Sequence, residues 1–463
     1  MEKFKVRGFN LCESLLRHTP EQLVRFIRRM KTLNMNTVII HYDYGWNRYK
    51  DIILEECAKA NIEIILMTFG PRTFLSYTDW NKKWFAKKED GTLFNDRLEC
   101  ETYPCPFEEG VMEAYSYGAR QWLMSLPQQI RHVHMRAADG LNFCQCERCR
   151  KLPDQEKWQP FVDSFVNAVL ETRPDLKFET DVYVKRYSIP RNSQSFLKMS
   201  SIMFDTFYRH TAYPIGDGRD VHNAELMEYA MTYGERTCAK TPNEYYLERI
   251  NEWSSAFPGK LYIHENAMKQ SYFGTFQHGT YAYLKDLELY GRLGINGVCY
   301  EAYEPGYSSF SHMFEILSHV MNGEEVEYTK TDIERMIEDS SMNLFCNDVS
   351  FPLEKYISDP FELKCAGLYR RFWTEHTPEL YKEYVDFSFE NKDKLDYLFI
   401  GFAIADWGVR WGKLKFNNLS VEAREMLYTN KLWDFMESIP INEDPIKICS
   451  ELILELTEKV EKV

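Results

Sequence analysis

The alternation of short apolar runs with longer amphipathic stretches constrains this chain more than any other feature of its sequence. Eight runs rich in β-branched and aromatic residues precede residue 323, and stretches with apolar residues at helical spacing separate them. The runs cover 5–11, 37–43, 62–69, 132–139, 177–184, 201–208, 260–267 and 297–303. Eight strand-helix repeats predict an α/β protein built as a closed (β/α)8 TIM barrel.

Two of the intervening stretches carry explicit signals for the start of a helix. Thr19 precedes Pro20, and Thr241 precedes Pro242, so a capping hydroxyl stands next to a proline at the first helical position. The alternative fold, an open doubly wound sheet, needs a glycine-rich phosphate-binding turn after the first strand. The segment GFNLCESLL at 8–16 does not provide that turn, so the closed barrel is favoured.

The pattern changes near Gly323. Beyond it the β-branched runs disappear, and apolar residues recur at spacings of three and four, which is typical of helices. We therefore expect a barrel domain at 1–323 and a C-terminal α-helical domain at 324–463 that packs on it.

Charge and hydropathy exclude several classes of partner. The formal net charge of -14 argues against binding to nucleic acid or to an anionic membrane surface, because both require a basic surface. No apolar run approaches the ~20 residues that a membrane span needs, and the first residues do not resemble a signal peptide. These features predict a cytoplasmic protein with a neutral substrate, and they leave homo-oligomerisation open.

Acidic side chains stand at the ends of several predicted strands. In a (β/α)8 barrel those ends form the face that carries the active site, and glycosidic bond cleavage requires a proton donor and a second carboxylate. We expect Asp139, Glu265 and Glu301 to be the catalytic carboxylates. The candidates for substrate binding lie at or just beyond the same strand ends: Arg17, His41, Asp43, Trp46, Tyr183, Asp205 and Tyr300.

The cysteine cluster is a separate feature. Cys144, Cys146 and Cys149 form a Cys-x-Cys-x-x-Cys motif, a spacing that suits Zn²⁺ when a fourth ligand completes the set. Cys100 is the expected fourth ligand, with Cys105 or a histidine as the alternatives. A closed four-ligand site would be structural, so one structural zinc and no organic cofactor are expected. A redox pair is disfavoured because no thioredoxin-like unit surrounds the motif.

Residues 7–46, from the Arg-Gly start to Gly-Trp, resemble the opening of the family-twenty glycoside hydrolases, the β-N-acetylhexosaminidases. The resemblance implies that Arg17 holds sugar hydroxyls and that His41 and Trp46 lie at the mouth of the barrel. The fourth strand of that family ends in Asp-Glu, whereas Gly140 follows Asp139 here. The general acid that the glutamate provides in the family must therefore come from another position.

A second resemblance accounts for this difference. The segment AADGLNFCQCERCRKL at 137–152 is similar to a mostly bacterial group of glycoside-hydrolase-like barrels, in which Asp-Gly and then Cys-x-Cys-x-x-Cys follow the fourth strand. That group includes endo-β-N-acetylglucosaminidases that act on N-glycans. The stretch DLELYGRLGINGVCYEAY at 286–303 matches its helix, glycine turn and strand ending in glutamate, and the similarity runs from about 5 to 320.

These observations predict a glycoside hydrolase that acts on an oligosaccharide, with a β-N-acetylglucosaminide as the expected substrate. If the sugar carries a 2-acetamido group, one carboxylate would orient it, its carbonyl would attack the anomeric carbon, and a glutamic acid would protonate the leaving oxygen. This is a retaining, substrate-assisted scheme. A β-galactosidase or β-glucuronidase, and a carbohydrate-binding barrel without catalysis, remain alternatives.

Overall fold

A computed structural model describes most of the barrel region and part of the remaining chain. The described residues are 3–12, 15–16, 18–75, 82–94, 103–138, 142–207, 209, 213–220, 227, 231, 237–266, 280–301, 304–325, 360–361, 364–365, 367–368, 371, 377–391, 394–395, 438–443, 447–448 and 451–452. Of the predicted site residues, Arg17, Cys100 and Asp139 lie outside this set.

Eight parallel strands form a closed barrel in which each strand pairs with its neighbours in sequence and β1 pairs with β8. The strands are β1 (Val6–Asn10), β2 (Thr37–His41), β3 (Glu63–Phe69), β4 (His132–Arg136), β5 (Lys177–Val182), β6 (Ile202–Asp205), β7 (Leu261–Glu265) and β8 (Gly297–Glu301). The predicted barrel is confirmed, and every predicted strand is present. Gly8 permits the close approach of β1 to β2, because a Cβ atom there would lie 1.8 Å from the carbonyl oxygen of Thr37.

Among the described residues, an α-helix follows each strand. These helices are α1 (Pro20–Thr32), α2 (Trp46–Ala60), α3 (Val111–Ser125), α4 (Asp154–Thr172), α5 (Gln194–Lys198), α6 (Pro242–Ala256), α7 (Thr280–Arg292) and α8 (Glu304–Met321). The helix start signals act as predicted. Thr19 and Gln22 form a capping box at α1, and the Thr241 hydroxyl accepts a hydrogen bond from the backbone N–H of Glu244 at α6.

Beyond the barrel region the described residues include a ninth helix, α9 (Pro378–Glu390). Most of 324–463 lies outside the described residues, so the division into two domains stays a prediction. Within the described part of the chain, no helix combines the length and the apolar character needed to cross a bilayer.

Alternation along the strands assigns each side chain to the barrel interior or to the layer beneath the helices. A small cluster inside the barrel contains Ile39, Ile65, Met67, Met203, Tyr262 and Cys299. The alternate residues, such as Val38, Phe204 and Ile263, belong to the large core between strands and helices. On each of these strands, the residue two positions beyond the last member of this interior cluster also points inward. That residue therefore faces the mouth.

The interior below the mouth is polar as well as apolar. The Glu179 carboxylate is fully buried and accepts hydrogen bonds from Tyr262 Oη at 2.6 Å and from His134 Nδ1 at 2.8 Å. His132 Nε2 lies 3.2 Å from the same carboxylate. Burial alone would lower the pKa of His132, but Glu179 and Glu63 outweigh it and raise that pKa to about 9. A charged group therefore sits inside the barrel, compensated by its neighbours.

Candidate active site

The mouth of the barrel is lined by one inward side chain from the carboxyl-terminal end of each strand. We call this set the mouth ring: Asn10, His41, Phe69, Arg136, Asp181, Asp205, His264 and Glu301. Every member is at most 6% exposed. Seven of the eight side chains are polar, so the mouth ring offers proton donors and acceptors where (β/α)8 barrels place their chemistry.

A chain of hydrogen bonds crosses the mouth ring from β1 to β6. His264 Nδ1 lies 2.8 Å from Asp205 Oδ2, and His264 Nε2 lies 2.8 Å from the Asn10 amide nitrogen. Asn266 donates to the other oxygen of Asp205 at 2.9 Å. Because a carboxylate only accepts, Asp205 fixes the His264 tautomer with its proton on Nδ1, and the Asn10 amide then donates to Nε2. Asp205 is thus held in one orientation by hydrogen bonds to both of its carboxylate oxygens.

Arg136 lies between two carboxylates of the mouth ring. Its Nε is 4.0 Å from Asp181 Oδ2, and its Nη2 is 4.0 Å from Asp205 Oδ2. The guanidinium carbon is 4.5 Å from the centroid of the Tyr183 ring and 5.7 Å from that of Phe69. Aromatic faces on the cation keep it in place and shield it from water. The predicted substrate-binding residue Tyr183 therefore covers this arginine at the mouth.

Glu301 is the glutamate of the mouth ring. It ends β8, is 6% exposed and pairs in register with Asn10 of β1. It shares the inward face of its strand with Cys299, a member of the interior cluster. The structure thus brings the predicted residues Glu301 and Asp205 to one mouth.

His41 is also in the mouth ring, as expected. Its pKa lies well below the usual range, because burial disfavours the cation and the positive charge of Arg136 adds to that effect. The imidazole of His41 is therefore neutral near neutral pH. Its Nδ1 lies 3.6 Å from the Cys12 sulfur.

Glu265 does not face the mouth. It shares the outward side of β7 with Ile263, and its side chain is 1% exposed beneath α7. Its carboxylate accepts hydrogen bonds from Arg209 at 2.9 Å, Tyr290 at 2.8 Å and Thr206 at 2.9 Å. The inward residue at this strand end is His264. An acid fixed by three donors in the layer under a helix is placed to anchor that layer, not to reach a sugar.

Two aromatic candidates and one acidic candidate are also occupied by packing. Tyr300 faces outward and contacts the rings of Tyr283 and Phe314 at 5.6 and 5.7 Å. Trp46, 2% exposed, opens α2 within the large core. Asp43 accepts hydrogen bonds from the Phe69 backbone N–H at 2.9 Å and from the Thr73 hydroxyl at 2.6 Å. Tyr300 and Trp46 therefore pack in the layer around the barrel, and Asp43 is held at the end of β3.

The sequence interpretation missed Asn10, Arg136 and His264 as members of the mouth ring. A signal for them was present. His132, His134 and Arg136 alternate with Val133 and Met135, so β4 has a polar face and an apolar face. Applying the same alternation to β7 selects His264 in place of Glu265.

Four cysteines meet beside the mouth, in the loops before α3 and before α4. The sulfur atoms of Cys105, Cys144, Cys146 and Cys149 all lie within 4.8 Å of one another. Cys105 Sγ is 3.8 Å from Cys146 Sγ and 3.6 Å from Cys149 Sγ. Zn–S bonds of ~2.3 Å in a tetrahedron place the sulfurs ~3.8 Å apart, so the spacing suits this ion.

The chemistry of the cluster supports metal binding. Hydrogen bonds from Cys105 and Cys149 hold the pKa of the Cys144 thiol far below its usual range, while the pKa of Cys149 is raised. The Lys87 backbone N–H also donates to Cys144 Sγ at 3.4 Å. Zinc binds thiolates, so metal binding would displace the protons of these clustered thiols. Cys105 fills the fourth position here, and the predicted fourth ligand, Cys100, lies outside the described residues.

Comparison with known proteins gives no family assignment. No family model matches the chain, and no match was found among curated proteins. The chitobiase of Flavobacterium johnsoniae is 10% identical at a TM-score of 0.45, over 99% of this chain and 73% of its own length. The endo-1,4-β-mannanase of Rhizomucor miehei is 9% identical at 0.42, over 69% of this chain and 94% of its own.

An α-galactosidase from Geobacillus stearothermophilus is 11% identical at a TM-score of 0.36, over 74% of this chain. This chain spans only 42% of the length of that enzyme. At such identities and scores, these similarities carry no information about substrate or chemistry.

Proposed function

We propose that this chain is a glycoside hydrolase that cleaves a β-linked sugar, with a β-N-acetylglucosaminide of an oligosaccharide as its substrate. The observation that supports the proposal is the convergence of Asp181, Asp205 and Glu301 at the carboxyl-terminal ends of β5, β6 and β8. Glycosidic bond cleavage uses one carboxylic acid and one carboxylate on the two sides of the anomeric carbon. The carboxyl groups of the mouth ring are proposed to fill these two roles.

Glu301 is the proposed general acid. Such an acid must keep its proton near neutral pH, and a carboxyl group that is 6% exposed meets the condition of limited solvation. It would protonate the glycosidic oxygen as the bond to the anomeric carbon breaks. Glu265 is proposed to act indirectly, through the position of β7 and the long segment after β6.

The second carboxylate has a different role. Asp205 is fixed by His264 and Asn266, so the direction of its carboxylate is set before substrate binds. In the substrate-assisted scheme such a carboxylate orients the 2-acetamido group, whose carbonyl oxygen attacks the anomeric carbon. Asp139, the residue that the sequence resemblance suggests for this task, is retained as a second candidate.

The four-cysteine cluster is proposed to hold one structural Zn²⁺. Four protein ligands would close the coordination sphere, so the ion would brace the two loops and take no part in bond cleavage.

A panel of 4-nitrophenyl β-glycosides tests the function. Release of 4-nitrophenol from the N-acetylglucosaminide, with tight inhibition by the matching thiazoline, is expected. Hydrolysis of only the galactoside or glucuronide would replace the substrate assignment. A rise in melting temperature with N-acetylglucosamine, without product from any member of the panel, would show a binding barrel and overturn the proposal.

A further inference from the structure

Arg186 lies beside the mouth ring with part of its hydrogen-bonding capacity unused. The residue is 4% exposed, and its Nη1 lies 3.5 Å from Asp181 Oδ1. Among the residues that the structure describes, its Nε and Nη2 have no hydrogen-bond partner. Buried arginine donors are normally paired, because a charged group that has lost its water must recover that solvation from other atoms.

The two unpaired donors are on the same edge of the guanidinium group. Nε–H and one N–H of Nη2 point in parallel directions and match the spacing of two oxygens on a carboxylate, sulfate or phosphate. The Nη1 group, by contrast, is directed to Asp181. Arg186 therefore keeps its bidentate edge for an acceptor other than the neighbouring aspartate.

A second buried side chain with an unused donor contacts Arg186. The guanidinium carbon of Arg186 lies 5.8 Å from the centroid of the Trp158 ring, and Trp158 is 3% exposed. In the described part of the chain, the Trp158 indole N–H also has no hydrogen-bond partner. An indole N–H can only donate, so both side chains require the same kind of acceptor.

The backbone that delivers Arg186 is strained. Val184 and Lys185 have φ angles of +26° and +55°, in the left-handed region that β-branched residues such as valine rarely occupy. Strain of this kind persists where the surrounding structure requires one side-chain position, and it is concentrated at functional sites.

We propose that Arg186 and Trp158 bind an oxyanion, and that this oxyanion is a carboxylate or sulfate group on the sugar next to the scissile bond. Asp181 links Arg186 directly to the mouth ring, so the anion would lie next to the proposed site of cleavage. The identity of the substrate as a glycoside rests on the proposed function. It narrows the substrate class to acidic oligosaccharides, such as those in which a uronic acid alternates with an amino sugar. These N–H donors would therefore attract an anion locally, although the whole chain has a net charge of -14.

Thermal unfolding in sodium sulfate, and separately in glucuronate, tests the anion site. Sulfate stabilises many proteins by exclusion from their surface, so the informative quantity is the difference between variants at equal ionic strength. The wild type should gain more stability than Arg186→Lys, which keeps the charge but loses the bidentate edge. Trp158→Phe, which removes only the indole donor, should give an intermediate gain. Arg131→Lys, an exposed residue at the opposite end of the barrel, should match the wild type. Equal gains in all four proteins would overturn the site.

Kinetics separate a substrate group from a free ion. The wild type should prefer an aryl β-disaccharide bearing a carboxylate over its neutral analogue, and Arg186→Lys should reduce that ratio of kcat/KM by ~10-fold, the effect of one lost strong contact. A wild-type ratio near one, with sulfate binding intact, would assign the site to a free ion and overturn the substrate inference. If no glycoside is hydrolysed, the proposed function fails, while equilibrium dialysis of the carboxylated disaccharide still decides the binding site.

Discussion

The contrast between Glu265 and Glu301 gives the sharpest prediction. Glu265→Gln keeps the shape of a side chain that accepts from Arg209, Tyr290 and Thr206, but it removes the charge from a fully buried ion pair. Breaking such a pair costs ~3–5 kcal/mol when the remaining charge is left without a partner. Asp286 Oδ2 lies 2.6 Å from Arg209 Nη1 and still compensates the cation, so the expected loss is smaller, at ~2–3 kcal/mol of unfolding free energy.

Urea unfolding followed by tryptophan fluorescence measures this loss, and turnover of the aryl N-acetylglucosaminide is measured on the same preparations. Glu265→Gln should lose stability and keep turnover within ~10-fold of the wild type. Glu301→Gln should lose at least ~10²-fold in turnover, as expected when a general acid is removed, with little change in stability. Glu55→Gln, in an exposed ion pair, is the control for the substitution itself. A stable Glu265→Gln protein with a ~10²-fold loss of turnover would refute the assignment of Glu265 to the supporting layer.

Other contacts give three further predictions. Metal analysis should find about one zinc per chain, reduced by Cys105→Ser but not by Cys57→Ser at a buried thiol outside the cluster; a metal-free wild type would remove the zinc site. Burial raises the pKa of Asp286 to about 7, so the folded state holds this proton more tightly than the unfolded state does. The free energy of unfolding should therefore fall as the pH rises from about 4 to 7, by at most ~1.4 kcal/mol per pH unit. Asp286→Asn should flatten that slope, and an unchanged slope would mean that a different group titrates. His264→Gln should lower kcat by ~10-fold or more by releasing Asp205, whereas His319→Gln, at an exposed ion pair, should not; equal activity in both would exclude a positioning role.

The barrel could be predicted from the sequence because a strand pattern followed by a helix pattern repeats eight times. The open doubly wound sheet was disfavoured because no phosphate-binding turn follows the first strand. The predicted strands ran too long at several carboxyl ends. For β4 the prediction extended to 139, whereas the strand ends at Arg136. Ala137 and Ala138 continue the apolar composition of β4, so the sequence does not mark the point at which pairing with the neighbouring strands stops.

The site was predicted less well, because position at a strand end does not decide the direction of a side chain. Glu265 and His264 are adjacent in β7, and adjacent side chains of a strand point to opposite faces. The Glu265 carboxylate therefore lies under α7, and the His264 imidazole lies in the mouth. Glu301 and Asp205 lie at the mouth because each stands two residues beyond an interior residue of its strand, Cys299 or Met203, and points to the same face. The fourth cysteine of the cluster could not be predicted from the sequence either. Several cysteines precede the motif, and only the fold brings Cys105 to it.

The cysteine cluster has a consequence for how the barrel opens. Cys105 and Cys146 are 41 residues apart, and the segment between them contains all of α3 and β4. A bound ion would close this segment into a loop, and cross-linking a loop of that length removes unfolded-state entropy worth on the order of 4 kcal/mol. With the ion in place, α3 and β4 would detach only together with the neighbouring elements. Without the ion, the same stretch would become the first to exchange its amide protons with solvent.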